Sequence, residues 1–351
     1  MTATVKLLSL ATATPPHDLA QDDVFEVAHQ IFIDRFPEFV RMGPVFDHAG
    51  VRHRQIARPV EWYLQPHGWA DRAAVYDEVA LDLFCRAAEG ALAEAGLTGA
   101  DIDAIVTVST TGVSTPSLEA KAMTRLGFRS DAARAPLFGV GCAGGATGLA
   151  LAYRLAKAQP GAKVLLVCVE LCSLAFHMEE LSKTDIISTA IFGDGAAACV
   201  LSSEDGAQGF ATVAASAEHT WAGTLGVMGW QVRDAGLGVL LDQALPPFVR
   251  REIRPVVEAM LARQGLRLED VDRFICHPGG MKVIEALEGA LGLGQGALDH
   301  EREVLADHGN MSSPTVLFIL DRARRTGLPK RSVLTAMGPG FTASTVTLEA
   351  A

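Results

Sequence analysis

The sequence has no surplus of positive charge. Its 30 Lys and Arg stand against 41 Asp and Glu, a net charge of −11. That balance argues against nucleic acid as a partner, because phosphate binding wants a basic face; it leaves room for a local basic patch that holds a small phosphorylated ligand. There is no uncharged apolar run of about 18 residues, so no membrane span is expected. The short apolar patch Leu7-Leu8-Ser9-Leu10 has Lys6 as its only basic lead-in and is cut off by Pro15-Pro16. It reads as an N-terminal strand, not as a secretory signal. The six cysteines, Cys85, Cys142, Cys168, Cys172, Cys199 and Cys276, make no CxxC pair and no cysteine–histidine spacing of a zinc site. They read as buried free thiols in a reducing compartment, so a cytoplasmic protein that needs no metal is expected.

What is present is a chain of 351 residues, 49% apolar and 20% charged, long enough to bury one large core or two fused ones. The stretch 136–151 organises it. A short apolar run ends in glycines, Cys142 follows, and a small-residue apolar segment continues from Gly148 to Lys157. The pattern predicts strand, tight turn and buried helix, with Cys142 at the helix N-terminus, where the unpaired N–H groups and the helix dipole favour a thiolate. Three readings are open. Cys142 is a buried structural cysteine; or Gly139-x-Gly141-x-x-Gly144 is a dinucleotide fingerprint with Glu170 as the ribose acid; or Cys142 is a nucleophile whose base and oxyanion site lie elsewhere. The second fits poorly, since Glu170 lies 31 positions after Gly139, against about 20 in that fingerprint.

Along the chain, residues 21–47 carry helical spacing, and Arg52-His53-Arg54 forms a small basic cluster, either a solvated loop or a phosphate clamp at a pocket mouth. Residues 71–95 predict a long helix that stops at Gly96, followed by the strand Ala104–Val108. The signals then recur. Leu92-Ala93, Gly96-Leu97, Asp101 and Asp103 reappear 169 positions later as Leu261-Ala262, Gly265-Leu266, Asp270 and Asp272. Gly141-Cys142 corresponds to Gly309-Asn310 at an offset of 168, and the strand 163–167 to the strand 331–335. Four elements repeating in order imply a duplicated α/β unit, with two parallel or mixed sheets and helices between and outside them. The halves are expected at 1–205 and 206–351. Ligands gather at strand carboxyl ends where such units meet, so Cys142 in one half and His277 and Asn310 in the other are expected to converge. Phe192, between the halves, reads as core or gate, and 221–234, with Trp221 and Trp230, as a loop or short hairpin lining a cavity.

The segments Gly141-Cys142-Ala143-Gly144-Gly145, Phe192-Gly193-Asp194-Gly195-Ala196-Ala197, His277-Pro278-Gly279-Gly280, Gly309-Asn310-Met311-Ser312-Ser313 and Gly338-Pro339-Gly340-Phe341 together resemble the motif set of the type III polyketide synthases, the chalcone-synthase-like condensing enzymes. The resemblance runs from about residue 90 to the C-terminus. It implies a thiolase fold, α/β and five-layered αβαβα, duplicated and assembled as a homodimer. It makes Cys142 the acyl-accepting nucleophile and His277 its ion-pair partner, with His277 and Asn310 holding the thioester oxygen. Phe192 becomes the gatekeeper and Trp230 a second gating aromatic. Thr110, Cys172 and Ala175 fall on cavity-lining positions, Gly279 and Gly280 on substrate-binding ones, and Arg52 and Arg54 near the basic contacts to coenzyme A phosphates. The substrates implied are an acyl-CoA starter and malonyl-CoA, with no separate cofactor.

Decarboxylation of malonyl-CoA generates the carbanion, so the site needs oxyanion donors and no general base; one such donor contributes roughly 3 kcal/mol in comparable sites. The small side chains at Cys172 and Ala175 leave room for a fatty acyl starter and an alkylpyrone or alkylresorcinol product. The alternatives are a malonyl-primed tetrahydroxynaphthalene synthase, a ketosynthase III-like β-ketoacyl synthase, a non-catalytic acyl-binding paralogue and a nicotinamide oxidoreductase.

Overall fold

A computed structural model describes residues 3–34, 36, 39–177, 182–234 and 236–351. The first half runs β1 (Val5–Ala13), β2 (His17–Ala20), α1 (Gln21–Phe32), α2 (Phe39–Met42), α3 (Pro44–His48), β3 (His53–Ile56), α4 (Val60–Tyr63), α5 (Trp69–Ala95), β4 (Ala104–Val108), α6 (Leu118–Leu126), β5 (Ala133–Leu137), α7 (Gly144–Ala158), β6 (Lys163–Leu171), α8 (Lys183–Ile191) and β7 (Asp194–Ser202). The second runs β8 (Ala211–Thr220), β9 (Met228–Arg233), β10 (Gly236–Leu241), α9 (Leu245–Ala262), β11 (Arg273–Cys276), α10 (Met281–Leu291), α11 (Asp299–His308), α12 (Thr315–Thr326), β12 (Arg331–Gly338) and β13 (Thr342–Ala350). The helical spacing over 21–47 resolves into α1 to α3; residues 35, 37 and 38 of that run lie outside the described residues.

The long predicted helix is α5. It buries Ala80, Leu83, Phe84, Ala87, Ala88 and Ala91, one stripe at helical spacing, and ends where Gly96 turns left-handed at φ 67° and returns its N–H to Leu92 and Ala93. β6 and β7 are buried along nearly their whole length, as strands covered on both faces must be.

The repeat seen in the sequence is written in hydrogen bonds. Asp103 N–H donates to Lys163 O (2.9 Å), and Lys163 N–H returns to Asp103 Oδ2 (2.7 Å). In the second half Asp272 N–H donates to Arg331 O (2.9 Å), and Arg331 N–H to Asp272 Oδ2 (2.7 Å). The aspartates two residues earlier also match, each capping a short turn: Thr98 N–H to Asp101 and Arg267 N–H to Asp270, both 2.8 Å.

Strand order differs from the two separate sheets expected. One nine-stranded mixed sheet runs β11-β12-β13-β8-β1-β7-β6-β4-β5. The halves are joined edge to edge, because β1 and β8 pair antiparallel over Val5–Val213, Lys6–Thr212 and Leu7–Ala211. The edge strand of each half thus satisfies its backbone groups on the other.

Folding this sheet over gives five layers. α5 and α6 cover the outer face of the first half, with Leu83, Phe84, Ile105 and Val167 in their core. α9 and α10 cover the outer face of the second, with Val249, Ile253, Ile284 and Phe274. α7 and α12 lie between, where Leu149, Val316 and Leu320 meet Leu166 and Leu334. The middle layer is tight: a Cβ on Gly145 would lie 2.4 Å from Ser313 O and 2.5 Å from Val316 Cγ1. Gly145→Ala should therefore destabilise the fold by about 1–3 kcal/mol through overpacking. A thermal-unfolding scan checks this; an unchanged midpoint would show that the layers can yield.

Candidate active site

Cys142 sits in a short 3-10 turn, Gly141–Ala143, that leads into α7. The turn is squeezed from above. Gly141 has φ 47°, a Cβ there would meet Pro339 Cδ at 2.7 Å, and a Cβ on Gly338 would meet Val140 O at 2.3 Å. The glycines of the Gly-Pro-Gly segment and of the cysteine turn thus let two backbones touch. From below, Gly141 N–H donates to Thr110 Oγ1 (3.1 Å).

Thr110 itself is held by Glu170. That buried carboxylate accepts from the N–H of Thr110 (2.9 Å) and Thr111 (3.0 Å), from Thr111 Oγ1 and from Ser313 Oγ (both 2.8 Å). Burial pushes it up to about 7 against those bonds. Two expectations change here. Glu170 is a buried strut, which removes the ribose-binding role in the dinucleotide reading. Thr110, expected to line the cavity, is buried with its hydroxyl engaged in shaping the nucleophile turn.

His277 follows β11, its backbone N–H bonded to Thr335 O (2.8 Å), and neither ring nitrogen has a protein hydrogen-bond partner among the described residues. Asn310 is fixed from both sides. Its Oδ1 accepts from Ser312 N–H (2.8 Å), and its Nδ2 points toward Gly279 O at 3.4 Å. Ser312 reaches that position by adopting φ 61°, the left-handed region that non-glycine residues rarely use. The side chains of Ser312 and Asn310 stand close enough to the Cys142 thiol to favour its anion.

The electrostatics differ from the expectation of a thiolate held by the helix end. Burial pushes the Cys142 thiol up to about 11, more than the neighbouring Ser312 and Asn310 side chains recover. Burial likewise pulls the His277 imidazole down to about 3. Each group alone is therefore neutral at neutral pH. Desolvation of a single charge outweighs a half-charge at a helix terminus, so a thiolate here depends on moving its proton to the imidazole, which leaves the site's net charge unchanged.

Four cavities share lining residues, each with the next. The largest, about 520 Å³, opens between α3 and α10 and carries Arg41, His48 and Lys282 with Gly279 and Gly280. Gly279, Ile191 and Val283 also line a cavity of about 30 Å³ that holds Cys142, His277 and Asn310 together. Beyond it a cavity of about 40 Å³ is lined by Cys142, Cys172, Trp230 and Ser312. An apolar cavity of about 90 Å³ continues from Cys172 and Ala175 to Val24, Ala28 and Ile31 on α1. Phe192 lines the last three. Trp230 arrives on the β9–β10 hairpin, the structure found for the aperiodic 221–234 stretch.

The structure corrects the basic cluster. Arg52 is 69% exposed and pairs with Asp307 at 2.8 Å. His53 pairs with Asp18 at 3.0 Å. Arg54 is buried, and both its terminal nitrogens are spent on Gln21 and on the carbonyls of Thr189, Ala190 and Phe192. None of the three is free at the 520 Å³ mouth. The basic groups there are Arg41 on α2, His48 at the end of α3 and Lys282 on α10, brought to one cavity by the fold.

Among the described residues no helix is long and apolar enough to cross a membrane. Comparison with known proteins places the whole arrangement. The family model for the N-terminal domain of chalcone and stilbene synthases matches residues 62–205, and that for their C-terminal domain matches 213–351. A 1,3,6,8-tetrahydroxynaphthalene synthase of Streptomyces peucetius is 39% identical over 96% of this chain and 91% of its own. A 3,5-dihydroxyphenylacetyl-CoA synthase of Amycolatopsis orientalis is 30% identical over 86% and 84%. The crystal structure of the 1,3,6,8-tetrahydroxynaphthalene synthase of Streptomyces coelicolor superposes with a TM-score of 0.93 at 29% identity, covering 98% of this chain and 99% of that one. With the thiolase fold and the motif set in place, the chain belongs to the chalcone- and stilbene-synthase family of type III polyketide synthases, acyl-transferring condensing enzymes that take coenzyme A thioesters.

Proposed function

We propose that Cys142 accepts a fatty acyl starter from coenzyme A, that His277 and Asn310 stabilise the enolate formed when malonyl-CoA loses carbon dioxide, and that the extended chain cyclises to an alkylpyrone or alkylresorcinol. The halves 1–205 and 206–351 each bring part of the site. The 520 Å³ mouth takes the coenzyme A arm, with Arg41, His48 and Lys282 toward its phosphates.

The reaction follows from the groups present. The thioester carbonyl lies against Cys142; as sulfur attacks, its proton passes to His277 and coenzyme A thiolate leaves. Malonyl-CoA then enters the same mouth. Breaking its C–C bond leaves an electron pair delocalised onto the thioester oxygen, where Asn310 Nδ2 and the imidazolium donate. The carbanion attacks the Cys142 thioester carbonyl, forming the C–C bond and expelling the Cys142 thiolate, so the lengthened chain rides on the extender's coenzyme A, from which it reloads onto Cys142 for the next round.

The observation that carries the starter assignment is the apolar cavity beyond Phe192, walled by α1 and small side chains at Cys172 and Ala175. An aliphatic chain buried there gains about 0.8 kcal/mol per CH2. Starters of graded length, with products read by mass spectrometry, test this: turnover should rise with chain length, and Ala175→Leu should cut turnover of the longest starters by about tenfold or more while sparing acetyl-CoA. Priming by malonyl-CoA alone is the second reading, favoured by the 39% likeness to a tetrahydroxynaphthalene synthase. A naphthalene product with no gain from long starters would establish it.

The assembly proposed is a cytoplasmic homodimer. β5 is the edge strand of the sheet on the side of the first half, its residues are largely exposed, and Phe138 just beyond it is 60% exposed. An unprotected edge beside an exposed aromatic fits a second copy of the chain. Sedimentation of the protein and of Phe138→Asp reads this directly, and a parent protein that sediments as a monomer would overturn it.

A further inference from the structure

We propose that Arg54, together with Gln21, is a positioning residue that sets both the Asn310 carboxamide and the Phe192 ring through the C-terminal end of α8. Helix ends leave carbonyls without partners. At α8 the guanidinium supplies them. Nη1 donates to Thr189 O (2.6 Å) and Phe192 O (3.0 Å), and Nη2 donates to Ala190 O (3.0 Å) and to Gln21 Oε1. Gln21 in turn donates to Ala190 O (3.1 Å) and to Phe46 O (3.0 Å) on α3.

The clamped segment is bonded to the catalytic loop. Asn310 N–H donates to Ile191 O (2.9 Å), and Gly193 N–H donates to Asn310 O (3.1 Å), a β-bridge that pairs Phe192 with Asn310. The two backbones pass so closely that a Cβ on Gly193 would lie 2.3 Å from His308 O and 3.2 Å from Arg54 Cβ. One guanidinium thus holds a helix end that carries a gate on one side and an oxyanion donor on the other. Through Gln21 it also touches α3, which walls the coenzyme A mouth.

Arginine suits this place for stated reasons. Its planar fork meets several carbonyls at once, its charge complements the negative end of a helix, and an ammonium would reach fewer of these acceptors. Burial lowers its pKa to about 9, opposed by nearby Asp194, so the cation persists at neutral pH. Shifting a catalytic donor by about 1 Å can cost about a hundredfold in rate, so a clamp at one remove from the chemistry has leverage on turnover.

The inference rests on the reading of Asn310 as an enolate donor, and its test separates the two. Arg54→Met, Arg54→Lys and Gln21→Leu are compared with Asn310→Ala and the parent by three measurements: carbon dioxide release from malonyl-CoA, alkylation of Cys142 by iodoacetamide, and the spread of product lengths. Arg54→Met is expected to lower kcat for decarboxylation by about 10- to 100-fold. Its KM for malonyl-CoA and its Cys142 alkylation rate stay within about threefold, and the product spread shifts. Arg54→Lys recovers part of the rate. A general loosening of the fold would instead lower alkylation and decarboxylation together, and that result overturns the proposal. So does a parental kcat with an unchanged product spread. If Arg54→Met does not fold, Gln21→Leu and Arg54→Lys report the same ratio. If Asn310→Ala itself decarboxylates at the parental rate, the reading of the site fails; if Asn310→Ala is crippled and the Arg54 and Gln21 variants are parental, the positioning role alone fails.

Discussion

Replacing Cys142 by alanine should abolish product formation, with a loss on the order of 10⁴-fold or more, as removal of a covalent nucleophile costs in comparable enzymes. The sulfur is the acyl acceptor at the meeting point of the cavities, and no other group there can take its part. Cys172 lines the adjacent cavity, but burial, with the nearby Glu170 and Asp194 carboxylates adding to it, holds its thiol well above the ordinary cysteine range. Decarboxylation should survive in part, because His277 and Asn310 remain in place. Intact-protein mass spectrometry after mixing with acyl-CoA checks the first half of the expectation, since the acyl adduct should vanish; carbon dioxide release from malonyl-CoA checks the second. Normal products from Cys142→Ala would sink the assignment outright.

The second large effect concerns the two donors. Asn310→Ala and His277→Ala should each lower malonyl-CoA decarboxylation by about 10²–10³-fold, the loss that follows removal of one oxyanion donor. His277→Ala carries a further signature because the imidazole also receives the thiol proton. Burial pushes the Cys142 thiol up to about 11, and the variant lacks the imidazole that could take its proton. Thiolate is the reactive form and is populated above the pKa, so alkylation of the variant should be slow at neutral pH and climb as pH rises toward 11. The parent, able to pass the proton to His277, should react at least about tenfold faster at neutral pH and show a flatter profile. Superimposable profiles for parent and variant would remove the ion pair from the mechanism.

The sequence already showed where these groups belong, and the structure explains why. The 169-residue repeat was legible because Asp103 and Asp272 do the same job, closing a backbone pair with Lys163 and Arg331. Cys142 and Asn310 stood out because each follows a glycine at a tight approach, and His277 because it opens His277-Pro278-Gly279-Gly280. Other features were not legible, for definite reasons. Arg54 and Arg52 are identical residues two positions apart, and only packing under α8 decides that one is buried and the other exposed. Arg41, His48 and Lys282 carry no local signature, since Lys282 joins the other two at one cavity only through the fold. Thr110 was placed in the right neighbourhood, yet which way its hydroxyl faces depends on Glu170, sixty positions downstream. The single sheet was missed because a three-pair seam between β1 and β8 leaves no mark on periodicity.

That seam sets the order in which the molecule can be made. β1, at residues 5–13, lies in the middle of the nine strands, between β7 at 194–202 and β8 at 211–220. On the ribosome it emerges before both neighbours and must wait for them, about 10–40 s at 5–20 residues per second. Throughout that interval an apolar strand has both edges open, the condition under which nascent chains associate with one another. Yield in a heterologous host should therefore respond to cooling and to holdase chaperones more than to any change near the catalytic thiol.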